Sequence, residues 1–188
     1  MGQLAPLMPH HRVNILTGTR TARVVEDPVE YAKQITKAER PLLVLGPRLS
    51  NLTLGGRLLL EYAMDIAKAK KIPTCATATV KSKMAELGVK PDSLYDIVEI
   101  IHALKDPNWK GVRKEGNHDL VIFFGFRTDL GNQGLSVLKH FAPHLKTMTL
   151  CKYYYPHADF SLPNLRKDDQ WKAFLENLID HLKAKGDD

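Results

Sequence analysis

The sequence predicts an α/β fold, a doubly wound, mostly parallel sheet of the Rossmann-like kind. Two runs, Leu42-Leu43-Val44-Leu45-Gly46 and, after Asp119, Leu120-Val121-Ile122-Phe123-Phe124-Gly125, are continuously apolar and end in glycine. Strands buried on both faces read this way, whereas half-exposed strands alternate. Segments with helical periodicity fall between the strand-like runs, so successive strands must pair in parallel through helical crossovers. A chain of 188 residues, 44% of them hydrophobic, supplies one sizeable core and suits one domain.

Each element follows from local chemistry. Residues 1–26 read as an N-terminal arm or edge segment, because Pro6, Pro9, His10, His11 and Arg12 crowd together, with a short edge strand expected at 13–16. The α/β domain is then 27–188. Asp27 is a good helix N-cap, Pro28 suits the first helical position, and Glu30 is placed to reach back as a capping box. That helix runs to about Glu39, and Pro41 closes it before the first strand. A helix over 55–71 carries Leu59, Tyr62, Ala63 and Ile66 on one stripe, and a strand over 72–78 follows. Pro91-Asp92-Ser93 opens a helix with Leu94, Ile97, Val98 and Ile101 at apolar spacing. A polar loop over 105–118 leads to the strand 119–125. A helix near 131–142, a strand near 146–151, an irregular 153–165 segment and a final helix from Asp168 complete the chain. On that last helix Trp171, Phe174, Leu175, Leu178, Ile179 and Leu182 share a face.

Composition narrows the function. Lys and Arg number 27 against 21 Asp and Glu, a net charge of +6 distributed along the chain among acids. A nucleic-acid protein concentrates such charge in a stripe with interleaved aromatics, so no nucleic-acid partner is expected. Two cysteines, Cys75 and Cys151, are too few for an iron–sulfur cluster held by this chain alone, and no metal site is expected. Both sit in apolar runs, where cysteine behaves as a small hydrophobe. No apolar run reaches the ~18 residues of a membrane span and no secretory segment is recognised, so a cytoplasmic protein is expected.

Open α/β sheets bind ligands beyond the carboxyl ends of their strands. Three loops leave such ends here, and they supply Gly46, Pro47 and Arg48, then Thr77 and Lys81, then Gly125, Arg127 and Asp129. Glycine permits close backbone approach and arginine offers a planar fork to phosphate, which is the make-up of a nucleotide crevice. The loops carry neither a Gly-x-Gly-x-x-Gly nor a Walker-type lysine motif. Plain strand-end glycines and surface charges are the alternative reading. His140 and His144 are separated by Pro143, which breaks a shared helical face. His157 and Asp159 lie in a tyrosine-rich segment suited to a packed edge or a protein interface, and Ser50 and Ser161 lack a nucleophile-elbow setting. No catalytic set is expected.

Two resemblances enter on residues already quoted. Residues 35–46, 67–77 and 118–127 resemble the central domain of thiamine-diphosphate enzymes, a deoxyhypusine-synthase-like NAD/FAD-binding domain type. Some members bind FAD, so an FAD site in the crevice is the corresponding expectation, and a free-standing FAD- or nucleotide-binding module is the alternative function. The chain departs from that pattern at Gly46-Pro47-Arg48, and it lacks the flanking thiamine-binding domains. The blocks 37–46, 65–77, Leu104-Lys105-Asp106-Pro107-Asn108-Trp109-Lys110-Gly111, 116–125 and Asn132-Gln133-Gly134-Leu135-Ser136 resemble the epsilon-subunit family of archaeal acetyl-CoA decarbonylase/synthase (CO dehydrogenase) complexes, the enzymes of one-carbon metabolism and methanogenesis. That resemblance implies a non-catalytic accessory subunit. Its partner would be the large alpha subunit, which carries the nickel–iron and iron–sulfur clusters, in an alpha-two epsilon-two unit. It further implies a role in stabilising alpha or in electron transfer from CO oxidation to FAD. Self-association of the isolated chain is the remaining expectation about partners. The 1–23 arm, the 105–117 loop and 153–159 are the expected contact surfaces.

Overall fold

A computed structural model describes residues 21–184. The strands of the main sheet are β1 (Arg23–Val24), β2 (Pro41–Leu45), β5 (Thr74–Ala76), β6 (Ser93–Leu94), β7 (Leu120–Phe124), β8 (Lys146–Thr149) and β9 (Phe160–Ser161). They pair in the spatial order β1-β9-β8-β7-β2-β5-β6, every neighbouring pair parallel. The chain leaves β2 toward β5 and β6, then crosses back to β7 on the other flank of β2. The switch point therefore lies between β2 and β7, where Leu42 stands beside Val121 and Val44 beside Phe123. All five residues of β7 are buried, as are Leu42 to Leu45 of β2.

Helices α1 (Pro28–Lys37) and α2 (Leu59–Ala69) pack against α6 (Asp168–Ala184), while α4 (Ile97–Lys105) packs against α5 (Thr128–Phe141). This gives the two helical layers of a doubly wound sheet. Asp27 caps α1 as its sequence predicts, accepting a hydrogen bond from Val29 N–H at 2.9 Å. The expected capping box does not form, because Glu30 pairs instead with Arg23 at 2.7 Å. That contact and the pairing of β1 with β9 draw Arg23 and Val24, at the end of the expected arm, into the sheet. The edge strand expected at 13–16 lies outside the described residues.

Several boundaries differ from expectation. Gly55 and Gly56 adopt φ of +59° and +78°, so they turn a hairpin between β3 (Thr53–Leu54) and β4 (Arg57–Leu58) and α2 starts only at Leu59. The strand expected over 72–78 pairs only from Thr74 to Ala76, and α3 (Ala78–Glu86) follows at once. That helix buries just Val80 and Met84, too narrow a stripe to announce itself as a periodicity. Pro91-Asp92-Ser93 leads into β6 rather than into a helix, and the cap of α4 is Asp96, whose carboxylate accepts from Val98 and Glu99 N–H, both at 2.8 Å. The buried stripe of α4 is accordingly Ile97, Ile100, Ile101 and Leu104, with Leu94 and Val98 exposed. Within the irregular 153–165 segment, Phe160–Ser161 forms β9.

Candidate functional site

At the switch point the backbone closes on itself. Gly46 N–H donates to Phe124 O at 2.7 Å and Arg48 N–H to Gly125 O at 3.0 Å. A Cβ on Gly46 would lie 2.5 Å from the Gly125 carbonyl oxygen, and one on Gly125 would run into the Leu49 side chain. Leu49, in the 3-10 turn Pro47–Ser50, is fully buried there. In dinucleotide-binding sheets the pyrophosphate takes this place, held by free N–H groups of the following helix. Here Leu58 N–H donates to Glu61 Oε2 and Leu59 N–H to Leu52 O, both at 2.8 Å, so the N-terminus of α2 has its own chain as partner. The residues at the switch point do not fit a pyrophosphate.

Beside it a cleft of about 390 Å³ opens over the ends of β7 and β8. Leu54, Leu59, Phe126 and Trp171 give it an apolar lining, and Tyr155 and Cys151 line it further. Tyr155 is fixed by donating from its hydroxyl to Phe126 O at 2.9 Å, and Trp171 by donating from Nε1 to Leu150 O at 2.9 Å. Arg48, Lys152 and the exposed Tyr153 and Leu52 line it too, with Thr53, Gly125 and Asp168. Lys152 is paired with Asp168 at 2.6 Å, whereas the Arg48 guanidinium has no hydrogen bond or ion pair among the described residues. Burial pushes the Cys151 thiol and the Tyr155 phenol above their ordinary pKa values, and the Arg48 charge only partly opposes both shifts. Cys151 is therefore a neutral thiol at pH 7, unsuited to nucleophilic attack. The cleft offers one unpaired guanidinium beside flat apolar surfaces.

The sequence-predicted residues divide among several places. Arg48 and Gly125 line the cleft. Gly46 and Pro47 form the closed turn behind it. Thr77 stands at the N-cap of α3 with its hydroxyl buried and unpartnered among the described residues, and Lys81 lines a separate groove beside β6. Arg127 and Asp129 face one another at 2.7 Å on an exposed turn. The Arg127 hydrogen bonds hold the Asp129 carboxyl below the usual range. The loop after β8, with Cys151, Lys152, Tyr153 and Tyr155, is a fourth strand end: β8 stops at Thr149, short of the expected Cys151, and Tyr153 and Tyr155 fall in the segment expected to be irregular. Its signal in the sequence is position alone, directly after an expected strand. Of the three consecutive tyrosines only Tyr153 is exposed, since Tyr154 donates to Ala22 O at 3.0 Å and Tyr155 is buried.

Among the described residues no three His, Cys, Asp or Glu side chains are grouped as a metal site, and His144 Nε2 lies 3.1 Å from Leu104 O. No helix of these residues is long and apolar enough to cross a membrane.

Comparison with known proteins adds a family. Residues 5–179 match the family described as CO dehydrogenase beta subunit/acetyl-CoA synthase epsilon subunit. The chain is 42% identical over 164 residues to the acetyl-CoA decarbonylase/synthase complex subunit epsilon of Methanothermobacter thermautotrophicus, covering 87% of this chain and 90% of that one. It is 38% identical over 166 residues to subunit epsilon 1 of the same-named complex of Archaeoglobus fulgidus, covering 87% and 86%. Subunit epsilon 1 from Methanosarcina barkeri is 37% identical over 166 residues, covering 88% and 92%.

Proposed function

The chain belongs to the CO dehydrogenase beta subunit/acetyl-CoA synthase epsilon subunit family, and we propose that it is the non-catalytic epsilon subunit of an acetyl-CoA decarbonylase/synthase complex in the cytoplasm. In this reading it binds the large alpha subunit, which holds the nickel–iron–sulfur chemistry, in an alpha-two epsilon-two unit and stabilises it. The observation that carries the reading is 42% identity over 87% of the chain to a protein named as that complex's subunit epsilon. Exposed apolar side chains support an assembling surface: Val98 is 58% exposed and Phe141 64%. The test is thermal inactivation of CO oxidation by purified alpha with and without this chain. The half-life lengthens several-fold in the complex if the reading holds, and equal decay rates end it.

The cleft favours a second reading, flavin or nucleotide binding, through the unpaired Arg48 beside Trp171 and Tyr155. A bound flavin would supply one- and two-electron acceptance. With the switch point closed, this chain's contribution would be an apolar wall for the ring and the Arg48 guanidinium for an anionic group. Titration of the isolated chain with FAD, followed by flavin fluorescence and calorimetric heat together, gives saturable micromolar binding under this reading. Absence of binding to both the isolated chain and its complex with alpha removes it.

A further inference from the structure

At the end of the sheet away from the cleft, β6 has a neighbour on one side only among the described residues, β5. Its ladder toward β5 includes the bond from Tyr95 N–H to Ala76 O at 3.4 Å. Alternation along the strand therefore turns the N–H and C=O of Leu94 outward, as an open template for another strand. Natural edges are blunted by charge or covered, yet Leu94 is 45% exposed. Beside it runs a groove of about 510 Å³ whose lining includes Ala85, Val89, Pro91 and Leu94, with Lys81 and Lys90. Neither lysine has an ion-pair partner among the described residues. The carboxylates nearby are engaged: Asp92 takes Arg113 at 2.8 Å and Thr74 N–H at 2.8 Å, and Glu86 takes Lys83 at 2.6 Å. The groove is thus apolar along its length and uncompensated positive on its sides.

We propose that the β6 edge and this groove dock an extended, acidic and apolar segment of the large partner subunit, which adds as a strand alongside Leu94. The placement rests on the subunit reading above. Charge decides the occupant. A second copy, itself at net +6, would bring Lys81 and Lys90 against their own kind, whereas an acidic segment neutralises both. Backbone pairing would give affinity, and apolar side chains falling beside Leu94 and Val89 would fix register.

The test measures association of the full chain with purified alpha. Lys81→Glu with Lys90→Glu, and separately Leu94→Asp, raise Kd at least tenfold, while Lys33→Glu on α1 leaves it unchanged. Added salt weakens the wild-type complex and has less effect on the lysine double variant. Hydrogen exchange on the wild-type complex, which needs no variant to fold, slows at the amides of 93–95. Wild-type binding with unchanged affinity in both edge variants and no slowing at 93–95 overturns the docking site and leaves the subunit reading standing. No association of the wild-type chain with alpha overturns both. Loss of self-association in the edge variants, with alpha binding intact, makes a second copy the occupant and overturns the proposal as well.

Discussion

Gly46 and Gly125 end the two central strands back to back, so near that a Cβ on Gly46 would stand 2.5 Å from the Gly125 carbonyl oxygen. Gly46 has an ordinary extended backbone with φ of −84°, so it is required for space alone. Gly125 has φ of +79° and packs on the Leu49 side chain, so it is required for both space and conformation. Gly46→Ala is expected to cost about 1–3 kcal/mol, the usual range for overpacking a core. Gly125→Ala is expected to cost more, because φ strain adds to the clash. Urea unfolding checks both: the midpoint falls with an unchanged slope, further for Gly125→Ala. Equal stability of Gly46→Ala and the wild type would mean the strand ends are free to separate.

Asp92 ties the polar 106–119 loop to the sheet. Its carboxylate accepts from Thr74 N–H at 2.8 Å, from Thr74 Oγ1 at 3.2 Å and from Arg113 Nε at 2.8 Å. Burial alone would raise its pKa, but the Arg113 and Thr74 hydrogen bonds outweigh burial and hold it below the ordinary value of 3.8. A depressed folded pKa means stabilisation is complete above the ordinary carboxylate range and is lost as pH falls through the folded value. Asp92→Asn is therefore expected to lose about 1–3 kcal/mol at pH 7. The gap from wild type should narrow as pH drops below about 4. Denaturation at pH 7 and at pH 3 measures both ends, and a gap independent of pH would show that the charge contributes nothing.

What the sequence revealed and what it hid follow one physical line. β2 and β7 are buried on both faces and declare themselves as unbroken apolar runs, and α6 buries a wide stripe from Trp171 to Leu182. β6 and β9 have two residues each and α3 buries two side chains, so periodicity has too few positions to act on. The Gly55-Gly56 pair was legible as a hairpin turn, but the helical stripe from Leu59 onward masked it. For the site, strand ends point to Arg48 and Gly125, and both line a cleft. They could not show that Gly46 closes against Gly125, or that Trp171, far along the chain, supplies a wall. Both facts depend on distances between elements, which no local pattern encodes.

His118 is buried with both ring nitrogens engaged. Its Nδ1 lies 3.0 Å from Arg40 O, and Val112 N–H donates to Nε2 at 3.3 Å. Those partners fix the neutral tautomer with hydrogen on Nδ1. Burial lowers its pKa, helped by the Arg40 and Arg113 charges and opposed by Asp119 and the Arg40 carbonyl. The unfolded imidazole takes up a proton near its ordinary value of about 6.5 while the folded one resists. Stability is therefore undiminished above that value, declines as pH falls below it, and levels off beneath the folded pKa. His118→Gln removes the titration, so its stability curve between pH 7.5 and 5 is flatter than that of the wild type. In the wild type, exchange of the Val112 amide, corrected for its intrinsic rate, accelerates over the same interval. Parallel curves for the two proteins would place the acid sensitivity elsewhere, with His157, whose pKa burial also lowers, as the next group to replace.

The two arginines at the carboxyl ends of β2 and β7 look equivalent in the sequence and are not equivalent in space. Arg127 is 68% exposed and held by Asp129 through two hydrogen bonds of 2.7 and 3.2 Å. Arg48 lines the cleft and has no carboxylate partner among the described residues. An anionic aromatic ligand in the cleft would meet Arg48 directly, while reaching Arg127 would require displacing Asp129. Arg48→Ala is therefore expected to weaken FAD binding by roughly 1–3 kcal/mol, or about fivefold to 150-fold, and Arg127→Ala to change it less than twofold. Quenching of Trp171 fluorescence, with Trp109→Phe as background, places the ligand in the cleft independently of affinity. Loss of affinity in Arg127→Ala with none in Arg48→Ala would move the site off this cleft and onto the exposed turn before α5.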